Sequence, residues 1–174
     1  MMYSYKQILN QLLVPNDVLE SILEIDLDYL QEKGYKTFIL DIDNTIVPRS
    51  EKLMTLNMLN WVGRVKNSGF KLYFLSNNSN WKRIERVCKQ AETKGFYFSC
   101  KPLAYSVQDL ASRYKFDIKK AVIVGDQVLT DVLVANWVGA YSILVDPLDK
   151  KLSFLKTMQR NIELNLLNKL THLD

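Results

Sequence analysis

Four short apolar runs recur along the chain: TFIL at 37–40, KLYFL at 71–75, AVIV at 121–124 and YSILV at 141–145. Each is too short for a helix and rich in aromatic or β-branched residues, the composition of a strand buried on both faces. Between them, apolar positions fall three and four apart, as in Leu56, Leu59, Val62 and Val65, which predicts helices over 53–67, 80–94, 103–115 and 128–138. Strand and helix in alternation predict a doubly wound α/β fold on a parallel sheet. Gly34, Gly69 and Gly95 each follow a helical stretch and precede an extended one, where a left-handed C-cap is expected.

The ends pattern differently. Residues 4–13 and 26–33 read as short helices split by Pro15, giving a helical lead over 1–33. Residues 149–170 read as one amphipathic helix with Leu152, Leu155, Ile162, Leu166 and Leu170 on its stripe. Such a stripe most often closes the protein's own sheet, and its other use is contact with a membrane surface or a partner. No repeat or low-complexity linker interrupts the pattern, and 174 residues with 48% hydrophobic content suffice for one core, so a single domain over 1–174 is expected. Trp61, Trp81 and Trp137 stand among apolar neighbours at helical spacing and are expected in that core.

Composition narrows the chemistry. The one histidine, His172, lies near the C-terminus, which argues against a His-based triad or a His-rich zinc site. Cys88 and Cys100 form no CxxC knuckle and are expected as reduced thiols. No apolar run approaches the roughly 20 residues of a membrane span, and the opening residues lack the cleavage pattern of a secretory signal, so a cytoplasmic location is expected. A net charge of +4 without a basic, aromatic-studded face predicts no specific nucleic-acid binding. Carboxylates, hydroxyls and lysine are left to act.

Directly after the first strand comes DIDNT, 41–45, so Asp41 and Asp43 leave the C-terminal end of a parallel strand, where ligands bind in open α/β folds. Two acids this close call for a neutralising cation, and all-oxygen donors suit Mg²⁺. One carboxylate could then attack phosphorus in line while the other moves protons. The plainer reading is that Asp and Asn cap the following turn, as they commonly do. Three further strand ends weigh against it. Ser76, followed by Asn77 and Asn78, enters a helix after KLYFL and could hold phosphate oxygens. Lys101, after the short run YFSC, could neutralise a carboxylate and a phosphate together. After AVIV comes GDQVLTD, where Gly125 would allow a tight turn, Asp126 could reach a metal, and Asp131 could brace a metal-bound water or start the helix.

These residues, in this order, resemble the four motifs of the haloacid dehalogenase (HAD) superfamily: Asp41, Asp43 and Thr45, then Ser76, then Lys101, then Asp126 with Asp131. The wording DIDNTIVP, LSNNS, KP and GDQVLTDVLVANWVG further resembles the YqeG-type branch, grouped with mitochondrial phosphatidylglycerophosphate phosphatases. The resemblance spans about residues 20–147. It implies Asp41 as phosphate acceptor, Asp43 as acid/base, and Ser76 and Lys101 as phosphate holders; Thr45 and Asn77 are expected beside them at the substrate. It implies Mg²⁺ on the Asp41 carboxylate, the Asp43 backbone carbonyl and Asp126, with Asp131 beside them and Thr45 supporting the loop.

About thirty residues separate Thr45 from Ser76 and about two dozen separate Ser76 from Lys101, room for one crossover unit in each gap and not for a full cap domain. An open site suits a phosphomonoester carried on a large or membrane-bound molecule, or a cover lent by a neighbouring subunit. With the resemblance, this makes a lipid-linked phosphate such as phosphatidylglycerophosphate, with peripheral membrane contact, the leading expected substrate class; a soluble phosphometabolite competes. A phosphorylated receiver domain has similar parts, but its acids come from different strands. A binding or assembly module at a membrane or ribonucleoprotein would use the amphipathic ends.

Overall fold

The computed structural model describes residues 11–149. All but the first residue of the expected 149–170 helix, and most of the 4–13 helix, lie outside that range.

Six strands form one parallel sheet: β1 (Asp17–Leu19), β2 (Thr37–Leu40), β3 (Lys71–Leu75), β4 (Lys94–Phe96), β5 (Ala121–Gly125) and β6 (Tyr141–Val145), in the order β1-β6-β5-β2-β3-β4. The four apolar runs are its four central strands. β1 and β4 escape the hydrophobic pattern because they are three-residue edge strands, half wet, that need no continuous apolar run.

The strands alternate their side chains between two cores. On one face Phe38, Leu40, Leu72, Phe74, Val122 and Val124 pack against α1 (Leu27–Glu32), α2 (Leu56–Asn67) and α3 (Trp81–Gln90). On the other, Ile39, Tyr73, Leu75 and Ile123 meet Val107 and Leu110 of α4 (Tyr105–Tyr114) and Val134 and Ala135 of α5 (Leu133–Val138). Helices on both faces of a parallel sheet make the fold a doubly wound α/β fold, as the pattern predicts. The winding reverses at β2 and β5, which are hydrogen-bonded neighbours although far apart in sequence. The crevice beyond their C-terminal ends is where such folds bind ligands.

Several details differ from expectation. Gly34 and Gly69 are left-handed C-caps at φ +86° and +84°, but Gly95 lies inside β4. A Cβ on Gly95 would stand 2.5 Å from the Cys88 sulfur, so that glycine answers a close approach of helix to strand, while Glu92 takes the left-handed turn. The buried stripe of α2 is Met58, Trp61, Val62 and Val65; Leu56, in its first turn, faces solvent. Trp61 is buried edge-on to Phe38, but Trp81 and Trp137, at helix ends, are more than half exposed. The run YFSC is a loop, because Phe98 and Cys100 adopt left-handed backbone that no strand admits. Residues 128–132 form one wide π-type turn ahead of α5 in place of a continuous α-helix.

Candidate active site at the sheet switch point

Asp41 continues β2 by one residue, its N–H donating to the Val124 carbonyl at 2.9 Å. The chain then curls back: Asn44, at φ +71°, donates its N–H to the Val47 carbonyl at 2.8 Å and accepts from the Arg49 N–H at 3.2 Å. This tight loop turns Asp41 and Asp43 into a cleft of ≈ 330 Å³ lined also by Arg49, Ser76, Asn77, Asn78, Lys101 and Gln127.

Asp41 is buried, and Lys101 Nζ donates to its Oδ1 at 2.7 Å. The same ammonium reaches Asp131 Oδ1 at 2.6 Å. Thr45 donates its hydroxyl to Asp41 Oδ2 at 3.2 Å, so the expected loop support is a direct bond to the acid. Asp131 takes the Gln127 N–H and the Thr130 hydroxyl on its Oδ2, at 3.2 and 3.3 Å. Gly125 has a different purpose from a tight turn: a Cβ there would lie 2.2 Å from the Asp131 carboxyl carbon. Its bare α-carbon makes room for that carboxylate.

Asp41, Asp126 and Asp131 are buried and can bring carboxylate oxygens within 4.8 Å of one another. Burial, and then the neighbouring negative charge, push Asp41 up to about 6 from the usual 3.8, against the opposing pull of Lys101. Asp126 is pushed up to about 7 by burial and by Asp41 and Asp131. Burial works to strip the Lys101 proton, but Asp131 and Asp41 outweigh it and hold the ammonium above the ordinary lysine value. One ammonium among three carboxylates leaves negative charge in excess. Buried oxygen donors with that excess fit a hard divalent cation.

Asp43 stands apart from this cluster. Its Oδ1 pairs with Arg83 Nε at 2.8 Å and its Oδ2 accepts from Asn78 Nδ2 at 2.8 Å. Ser76 is buried at the cleft wall and accepts the Asn78 N–H on its Oγ at 3.1 Å. The Asn77 amide is occupied with the Lys101 backbone, Nδ2 donating to its carbonyl at 3.0 Å and Oδ1 accepting its N–H at 2.7 Å. Asn77 thus fastens the β4–α4 loop, and with it Lys101, to the end of β3.

All eight sequence-picked residues meet around this crevice. Sequence reasoning missed Arg83 and Arg49. Arg49 stands in a loop with no periodic signal; Arg83 shows only as the third residue of an Asn-capped helix, which says nothing of its partner across the loop.

Residues 99–147 match the family model described as "HAD-hyrolase-like". Over 162 residues, 93% of this chain and 94% of the relative, the sequence is 28% identical to "Probable phosphatase YqeG" of Bacillus subtilis (strain 168). Among solved structures, the fold is similar to an uncharacterized protein from Listeria monocytogenes serotype 4b (TM-score 0.54, 21% identity, 77% of this chain and 99% of that one). It is also similar to a chain from Streptomyces avermitilis MA-4680 whose name places it in the HAD hydrolase family (TM-score 0.51, 11% identity, 65% of this chain and 72% of that one).

Proposed function

We propose that this HAD-type phosphatase hydrolyses phosphomonoesters with Mg²⁺ through an aspartyl-phosphate on Asp41. The observation that carries the reading is the contact of Asp41 with Lys101 at 2.7 Å inside a buried group of three carboxylates at the sheet switch point. A buried carboxylate touching a single ammonium is held in one orientation, and the same ammonium can meet an arriving phosphoryl oxygen.

Asp41 attacks phosphorus, the P–O bond to the alcohol breaks, and Asp43 gives a proton to the departing oxygen. Asp43 then takes a proton from water, whose oxygen attacks phosphorus; the bond to Asp41 breaks and inorganic phosphate leaves. Ser76 and Lys101 hold the phosphoryl oxygens, and Thr45 keeps Asp41 aimed. Asp41 and Asp126, with Asp131 alongside and the Asp43 carbonyl as a further oxygen donor, would hold the Mg²⁺. Once bound, the ion supplies charge neutralisation for the phosphoryl group.

The substrate is a phosphate carried on a lipid, with phosphatidylglycerophosphate as the first candidate. The loops leaving β3 and β4 support this reading. Asn78 and Lys101 line the cleft, and Trp81, Phe98, Leu103 and Tyr105 on the same loops or at the helix starts they lead into are exposed. Aromatic and aliphatic side chains beside an open polar cleft suit a headgroup presented from an apolar surface. No helix among the described residues is long and apolar enough to cross a membrane, so the contact proposed is peripheral.

Phosphate release from phosphatidylglycerophosphate in detergent micelles with Mg²⁺, beside a panel of soluble phosphomonoesters, tests the proposal. Lipid turnover that Asp41→Asn eliminates is the expected result. Turnover confined to soluble esters would keep the mechanism and remove the lipid, and turnover of none would remove both.

A further inference from the structure

Asp43 is held from outside the cleft by a residue that does not line it. Arg83 Nε donates to Asp43 Oδ1 at 2.8 Å, Arg83 Nη2 donates to the Pro48 carbonyl at 3.0 Å, and Nη1 donates to the Glu51 carbonyl. One guanidinium thus joins the acid to both ends of the short segment that carries Arg49 at the cleft wall. Both partners of the ion pair are nearly withdrawn from solvent, each side chain 12% exposed, so water screens the contact little.

Arg83 is itself placed by a relay of polar side chains. Ser76 Oγ accepts the Asn78 N–H, Asn78 Oδ1 accepts the Asn80 N–H at 2.8 Å, and Asn80 Oδ1 accepts the Arg83 N–H at 3.2 Å. Each step is a local side-chain to backbone bond of the kind that fixes turns. The relay begins at the phosphate-holding Ser76 and ends at the residue that grips Asp43, and Asn78 also donates to Asp43 Oδ2.

We infer that Arg83 is the positioning residue for Asp43 in the two proton transfers, an assignment that rests on the phosphatase reading. A carboxylate offers about four acceptor sites, two on each oxygen. Arg83 takes one on Oδ1 and Asn78 one on Oδ2, so both the plane and the rotation of the group are set, and acceptor sites remain for the substrate side. A planar guanidinium does this where an ammonium cannot, because its donors point in fixed, divergent directions. Arg83 donates to none of the three clustered carboxylates Asp41, Asp126 and Asp131; it acts through the Asp43 side chain.

The leaving group separates this role from general support of the loop. A p-nitrophenolate departs from phosphorus without a proton, whereas an alkoxide needs one, and kcat/KM reports the steps up to that departure. We would compare wild type, Arg83→Gln and Arg83→Lys with Mg²⁺ on p-nitrophenyl phosphate and on glycerol 3-phosphate. Arg83→Gln should lose about 10²-fold in kcat/KM on the alkyl ester, the scale of a general-acid contribution, and change little on the aryl ester. On the aryl ester its kcat should still fall, because water attack also needs Asp43, and a burst of nitrophenolate should mark accumulated phospho-enzyme. Arg83→Lys should fall between the two, and guanidinium ion should restore alkyl-ester turnover to Arg83→Ala.

Equal losses on both esters would overturn the inference, as would rates like the wild type on both or a failure of guanidinium to rescue. Wild-type turnover that Asp41→Asn abolishes, with Arg83→Gln unaffected, would remove this inference alone. A wild-type protein inert on both esters and on the lipid would remove the phosphatase reading, and this assignment with it.

Discussion

Lys101 Nζ lies 2.7 Å from Asp41 Oδ1, and the lysine side chain is 2% exposed. The ammonium has also Asp131 at 2.6 Å, so one buried cation serves two buried anions that reach it from the end of β2 and from the turn after β5. Its loss leaves two buried carboxylates facing each other without a counter-charge. Removing one partner of a buried pair typically costs about 3–5 kcal/mol, because the remaining charge is uncompensated. Lys101→Met should therefore lower the Tm of the metal-free protein steeply and abolish turnover, and added Mg²⁺ should recover part of the stability and none of the rate. A Tm unchanged by the substitution would show that the pair contributes nothing to the fold.

Asp41→Asn should separate function from stability. The neutral amide keeps the shape of the carboxylate but cannot attack phosphorus, so turnover should drop by at least about 10³-fold. Asp41 is costly to ionise where it stands, and its removal relieves that cost while Lys101 keeps Asp131 as partner. Metal-free Asp41→Asn should melt higher than wild type at about pH 8 by calorimetry. A lower melting point would mean that the Lys101 contact outweighs the burial cost.

The same burial gives the metal-free protein a pH signature. Asp41 and Asp126 both bind protons more tightly folded than unfolded, at about 6 and about 7 against the usual 3.8. Their contribution to stability is fully present below about pH 4 and is lost as pH rises through those two values. A cation in the cluster removes the penalty, so the rise in Tm on adding Mg²⁺ should be larger at about pH 8 than at about pH 5. In Asp126→Asn that difference should shrink. Equal shifts at both pH values would place the ion elsewhere.

Two glycines make a matched pair for packing. A Cβ on Gly125 would fall 2.2 Å from the Asp131 carboxyl carbon, whereas a Cβ on Gly63, within α2, would meet nothing within 4 Å. Gly125→Ala should cost about 1–3 kcal/mol by denaturant melts and displace Asp131 from Lys101, with activity falling alongside. Gly63→Ala should be neutral or stabilise by up to about 1 kcal/mol through helix propensity.

The central strands and the order of the site residues were legible in the sequence because both are written in short, local patterns. TFIL followed by DIDNT states a buried strand and the acids at its end within nine residues. The Lys101 contacts were not legible to the same degree. That residue follows a loop in left-handed conformations, and its position depends on the Asn77 amide 24 residues earlier. Arg83 was invisible for a related reason. Its partner lies 40 residues away, and an arginine in a strongly polar helix reads as a solvated face. Trp81 and Trp137 misled because periodicity locates a face but not the turn at which the helix leaves the core.

The neighbouring placement of β2 and β5, in register from Thr37 opposite Ala121 to Leu40 opposite Val124, sets how far Asp41 stands from Asp126. That spacing is written in main-chain hydrogen bonds, which side-chain exchange elsewhere leaves alone. The rim, by contrast, is built on side chains of the loops 48–51 and 97–104 other than Lys101, which the ladder does not constrain. A lineage could therefore rework what the cleft admits while inheriting the reactive centre intact, so that selectivity and chemistry can evolve on separate parts of one small chain.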